Sequence, residues 1–272
     1  FLNLTLLLTV FFFWAALHVL HQVTYIVELY NHKEHHTVRQ GSAVTPVARA
    51  IDYAIILTCL FPMAAYKISQ GAFDIGVNDL TRVIPAFFQQ AWFFYLMSGI
   101  FVAAVIAYAL KTVQEIRGGY VNWPKTIFIV LTVVVAFTMP MLPNLDTAFQ
   151  GLNTWHSFQY LALTFYIIKL REKLGGLDQT APLVARASRR AKDSRGLYAL
   201  SAMLLVGSAA VFAIVYGVAS LIQPSTVAVA DLSNWRFDVA YYTAILSFLW
   251  IHYYHDHFLF TDFQVLAPSY AE

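Results

Sequence analysis

Apolar runs of about 20 residues, separated by short polar segments with proline, glycine and charge, recur along the whole chain. Read against turn and charge signals, they predict about seven membrane-spanning helices. These are Leu2–Val27, Ala50–Ile68, Pro85–Leu110, Trp123–Met141, Thr147–Ile168, Leu197–Leu221 and Phe237–Phe260. Pro62 is expected to kink the second, Pro85 and Pro124 suit first-turn positions, and Pro140 with Pro143 ends the fourth.

Composition agrees with this pattern. The 272 residues are 59% hydrophobic and only 12% charged, too little charge for an ordinary soluble domain. The predicted fold is all-α, a polytopic transmembrane bundle, with residues 1–272 forming a single integral membrane domain because the spans leave no room for another. No basic n-region precedes Leu2, so the first run reads as a span and not as a signal peptide. Cys59 is the lone cysteine, which excludes an internal disulfide and a cysteine-based metal cluster.

Basic residues set the expected orientation. The segment between the fifth and sixth spans carries Lys169, Arg171, Lys173, Arg186, Arg189, Arg190, Lys192 and Arg195. The turns after the first and third spans carry Lys33, Arg39 and Arg49, then Lys111, Arg117 and Lys125, whereas the alternate loops hold only Lys67, Arg82 and Arg236. The positive-inside rule therefore puts the N-terminus outside and the C-terminus in the cytoplasm; the expected location is a bacterial inner membrane. The run from Arg186 to Arg195 reads as a solvated, topology-determining loop; membrane lipids are expected partners and nucleic acid is not.

Imidazole is the chemistry that this pattern leaves unexplained. Of nine histidines, His18 and His21 fall in the first predicted span, His156 in the fifth, and His252, His255 and His257 in the last, all spans that run outside to inside. Counting about 1.5 Å per residue from cytoplasmic ends near Glu28, Lys169 and Asp262 places His18, His156 and His252 in one layer roughly 15 to 20 Å deep. His21 and His255 follow three residues after His18 and His252, so each pair shares a helix face, as does Asp256 with His252. Neutral imidazole suits iron, copper or zinc, and ligation offsets its desolvation. The candidate metal ligands are therefore His18, His21, His156, His252, His255 and Asp256.

Gln159 and Tyr160 beside His156, and Gln22 beside His18, are candidate cofactor-binding groups that hold the ligands from behind, or else hydrogen bonds between helices. Glu28 reads as a carboxylate ligand or, more readily, as a headgroup-level acid, and Asp52 as a solvated helix-end charge. If the first helix is continuous, His32 lies about 21 Å from His18, so His32, His35 and His36 need a separate explanation.

His32-x-x-His35-His36 resembles the HxxHH box of the membrane non-haem di-iron desaturases and hydroxylases. His18-x-x-His21 and His252-x-x-His255-x-His257 loosely resemble its other boxes, although His156 stands alone where that family has a second complete box. A few deep histidines on several helices also resemble the bacterial membrane β-carotene dioxygenases, which hold one iron through histidines. Trp155–Tyr160 and His252–Asp256 look like the HxxQY and HYYxD pairing of uncharacterised bacterial multi-pass membrane proteins.

These observations lead to an expected histidine-ligated oxidoreductase of the oxygenase, hydroxylase or desaturase type. Its iron would be mono- or dinuclear and its substrate an apolar lipid, hydrocarbon or isoprenoid. A hydroxylase or desaturase implies an electron-transfer partner. The alternative is a haem- or chlorophyll-binding subunit of a larger respiratory or photosynthetic complex, with axial imidazoles from two helices. Proton conduction or transport is a third class, without repeated halves to support it.

Overall fold

The computed structural model describes residues 4–37, 44–76, 78–174, 194–222 and 227–260, with residues 178, 182, 185, 186, 189 and 224 between them. The chain divides into two compact units, with the boundary after Ser157.

The first unit contains α1 (Leu4–Thr37), α2 (Pro46–Thr58), α3 (Phe61–Ser69), α4 (Ala91–Arg117), α5 (Trp123–Thr138) and the start of α6 (Leu145–Leu174). Each start has a local cause. Thr45 accepts from the Ala48 amide at 3.2 Å with Pro46 in the first turn of α2, and Asn122 accepts from the Lys125 amide at 3.2 Å with Pro124 in the first turn of α5. The second predicted span is one apolar stretch broken at Cys59 and Leu60, where Pro62 supplies no amide to the Thr58 carbonyl four residues back.

Pro85 does not open the third span. It precedes a 3-10 turn at Ala86–Gln89, Gln90 is extended, and α4 starts only at Ala91. The first helix, in contrast, runs unbroken to Thr37, ten residues past the predicted end. Between α3 and α4 lies an element that the apolar pattern did not predict, a short antiparallel ladder of β1 (Asp74–Ile75) and β2 (Asn78–Asp79), with Gly76 at φ +56° in its turn. Asp79 caps the following 3-10 turn, and the Thr81 hydroxyl and amide hold its carboxyl below the usual range.

Packing makes α1, α2, α4 and α5 an up-and-down bundle, since the C-terminal ends of α1 and α4 meet the N-terminal ends of α2 and α5. The core between them is aliphatic, built from Val19, Leu20, Val23, Ile56, Cys59 and Ile129 with Ala104 and Ala136. At the far end Phe73 is fully buried against Phe12 and Phe13, and Lys67 donates to the carbonyls of Leu142 and Pro143.

The second unit contains α7 (Ser194–Ser220) and α8 (Leu232–Phe260), packed as a helical pair. Phe212 of α7 meets Phe237 of α8 edge to face at 5.6 Å, and Gly207 lies beside the Phe248 ring. Among the described residues, five helical stretches are long and apolar enough to cross a membrane: Leu4–Glu34, Pro46–Ser69, Ala91–Arg117, Trp123–Met141 and Ala202–Ser220. Helices of this length and apolarity are compatible with an integral membrane protein.

Candidate functional site

Two sets of polar side chains inside the first unit carry chemistry, one at mid-depth and one at an end. The mid-depth set is histidine. α1 carries His18 and the first turns of α6 carry buried His156, and their rings lie edge to face with centroids 6.4 Å apart. Gly151 helps to bring α6 in. A Cβ at this position would come within 2.4 Å of Met139 Sδ, so glycine permits α6 to pass closely over the turn that ends α5. Gln22, one helical turn after His18, is 1% exposed. Ten residues separate His18 from Glu28, about 15 Å along the continuous α1.

The other predicted ligands are placed differently. His21 lies exposed on α1 with its ring 4.7 Å from Tyr25. His252, His255 and Asp256 belong to α8, and Gln159 and Tyr160 to α6, but their side chains lie outside the described residues, as do those of His35 and His36. His32 is half-buried on the same unbroken helix as His18, about 21 Å farther along. Among the described residues, no group of three or more histidine, cysteine or carboxylate side chains is placed to hold a metal ion.

The second set is a buried layer of charge that sequence reasoning did not identify. Asp52, read as a solvated helix-end group, is fully buried. Lys111 of α4 donates to it at 2.7 Å, and Lys125 of α5 lies 3.4 Å from its other oxygen. Both lysines stand where the sequence pattern places loop charges, yet their side chains are only 5% and 2% exposed. Lys125 also donates to Asn31 of α1 at 2.9 Å, and Lys111 has Glu115 at 3.2 Å.

The chain of contacts continues through Asn31, which donates to Glu28 at 3.1 Å. Glu28 accepts from Arg49 Nε at 3.0 Å, pairs with the Arg49 guanidinium through its second oxygen, and accepts from the Tyr53 hydroxyl. Glu28 is thus an ion-paired acid at the charged end of the bundle, engaged by Arg49, Tyr53 and Asn31. Asn122 donates to Glu34 at 3.0 Å and completes the tie between α1 and α5. Charges in apolar surroundings persist where they are paired and hydrogen-bonded, and here each carboxylate has a cation or an amide donor. The arrangement clamps the ends of four helices together. The visible sequence cue was that Asp52, Lys111 and Lys125 each stand at the margin of an apolar run at the same end of the bundle.

No family model, curated protein or solved structure matches this chain.

Proposed function

We propose that this integral membrane protein binds a redox-active metal through imidazoles in its apolar interior and acts as an oxidoreductase on an apolar lipid, hydrocarbon or isoprenoid. The supporting observation is the His18–His156 pair, with ring centroids 6.4 Å apart on two different helices. A metal–nitrogen bond of about 2.0–2.1 Å and roughly 1.1 Å from nitrogen to ring centre put imidazoles on opposite sides of one ion roughly 6.3 Å apart. The observed separation fits that spacing. Iron held there would supply electron transfer or dioxygen chemistry, while the helices exclude water.

The same spacing also favours a second reading, a haem or related tetrapyrrole with His18 and His156 as axial ligands. In either case we place the chain in a bacterial inner membrane with about seven spans, N-terminus outside and C-terminus cytoplasmic. The excess of lysine and arginine in alternate loops supports that orientation.

Elemental analysis and a visible spectrum of protein purified from membranes test both readings. The expected result is iron or copper near one equivalent per chain, lost in His18→Ala and His156→Ala; zinc alone would overturn the redox reading. A Soret band moves the assignment to haem, and helical protein with neither metal nor Soret absorption overturns both.

A further inference from the structure

Beside the buried charge layer, where α4 turns into α5, a cleft of about 240 Å³ opens between Glu34, Thr45, Lys111, Glu115, Asn122 and Lys125. Its walls carry both signs of charge. An ammonium has three N–H bonds. Lys111 has Asp52 and Glu115 in reach, Lys125 has Asn31 and Asp52, and both lysines line the cleft. A simple anion entering the cleft meets Glu34 and Glu115, and a simple cation meets Lys111 and Lys125. The complementary ligand carries one charge of each sign, a few ångströms apart.

Position in the fold narrows the source. Trp92, near the start of α4, packs with Phe87 at 4.5 Å and Phe93 at 5.7 Å, and Phe88 continues the cluster. Tryptophan and tyrosine are enriched at membrane–water interfaces, and Trp92 and nearby Tyr95 are exposed. Lys111 follows Trp92 by 19 residues of continuous helix, about 28 Å, which is close to the roughly 30 Å thickness of bilayer hydrocarbon. The cleft therefore stands at the opposite interface, at the depth of lipid phosphates.

We propose that this cleft binds the headgroup of a zwitterionic phospholipid with a primary amine, phosphatidylethanolamine. Its phosphate accepts from Lys111 and Lys125, and its ammonium donates to Glu34 and Glu115. Phosphatidylcholine has both charges but no N–H for the carboxylates, and phosphatidylglycerol has no cation. The site stands independently of any metal bound near His18.

Native mass spectrometry of the delipidated chain in dodecyl maltoside tests the assignment, with the three lipids and water-soluble glycerophosphoethanolamine as probes. Phosphatidylethanolamine is expected to bind at least about tenfold more tightly than the other two lipids. Glu115→Gln, and separately Glu34→Gln, should bring that preference close to parity while far-UV circular dichroism stays unchanged. The soluble headgroup should compete poorly, because it lacks the acyl chains that the bilayer would hold beside the cleft. Equal binding of the three lipids, a preference for phosphatidylglycerol, or an undiminished preference in whichever variant folds would overturn the proposal. Full competition by glycerophosphoethanolamine would overturn its assignment to a lipid.

Discussion

Asp52 shows how far a single residue can depart from what its neighbours in sequence suggest. Four residues upstream of Ile56 at the margin of an apolar run, it has the local setting of a charge that stays in water, because charges at span ends ordinarily do. Its partners, Lys111 and Lys125, lie 59 and 73 positions later, so no local rule pairs them. The residue type and span end were legible in the sequence; the burial was not. His18 and His156, which counting along their helices put in one layer, lie with ring centroids 6.4 Å apart. The buried pairing makes a quantitative prediction. Asp52→Asn leaves Lys125 buried with only a neutral partner, and breaking a buried pair from one side costs about 3–5 kcal/mol. Adding Lys125→Met should recover part of that loss by removing the stranded charge. Unfolding by sodium dodecyl sulphate titration measures both. A change below ~0.5 kcal/mol in Asp52→Asn, the range of ordinary surface substitutions, would show that Asp52 is solvated after all.

Among elements, the helices with chemical punctuation were read closely and the rest less so. Pro124 and the Pro140–Pro143 pair bracket α5 as predicted, since a missing amide fits a first turn and ends a helix from within. Pro85 has the same chemistry but serves a 3-10 turn, because two aromatic residues, Phe87 and Phe88, fold against Trp92 and Phe93 before α4 begins. The β1–β2 ladder has two residues per strand, too few for alternation to emerge from the pattern. Placement of α6 depends on a contact that no periodicity encodes, the closeness of Gly151 to Met139. Two effects compete there on substitution. Alanine gains up to about 1 kcal/mol of helix propensity over glycine, and the flexible Met139 side chain can yield to one methyl group. A leucine cannot be absorbed so easily, and overpacking of that kind costs about 1–3 kcal/mol. Gly151→Leu is therefore expected to lower stability in the same titration, Gly151→Ala to change it little, and Met139→Ala to rescue the leucine variant. Failure of that rescue would mean that something other than Met139 limits the approach of α6.

On the scale of the whole molecule, hydropathy identified membrane-length helices, whereas the bilayer boundaries proposed for the first unit rest on side chains that meet only in the fold. Along α4, the aromatic cluster at Trp92 and the charge layer at Lys111 stand about 28 Å apart, and the exposed residues between them include Leu96, Ile100, Val102 and Ile106. That spacing puts the middle of the hydrocarbon near Val102, and on α1 it puts His18 about 15 Å from the charged end. A metal or tetrapyrrole at His18 would then be reached by apolar molecules from the lipid and not by solutes from the water phase. Spin labels on exposed α4 positions test the register directly, in a Cys59→Ala background because that cysteine is buried and unsuited to labelling. In reconstituted bilayers, collision with oxygen should peak at labels on Val102 and Ile106 and fall toward Tyr95 and Ile116, with the opposite gradient for a polar nickel chelate. A maximum displaced by two helical turns, about 11 Å, would move the charge layer out of the headgroup region and His18 away from the bilayer centre. The lipid-headgroup assignment and the protected histidine pair would then both lose their physical basis in membrane depth.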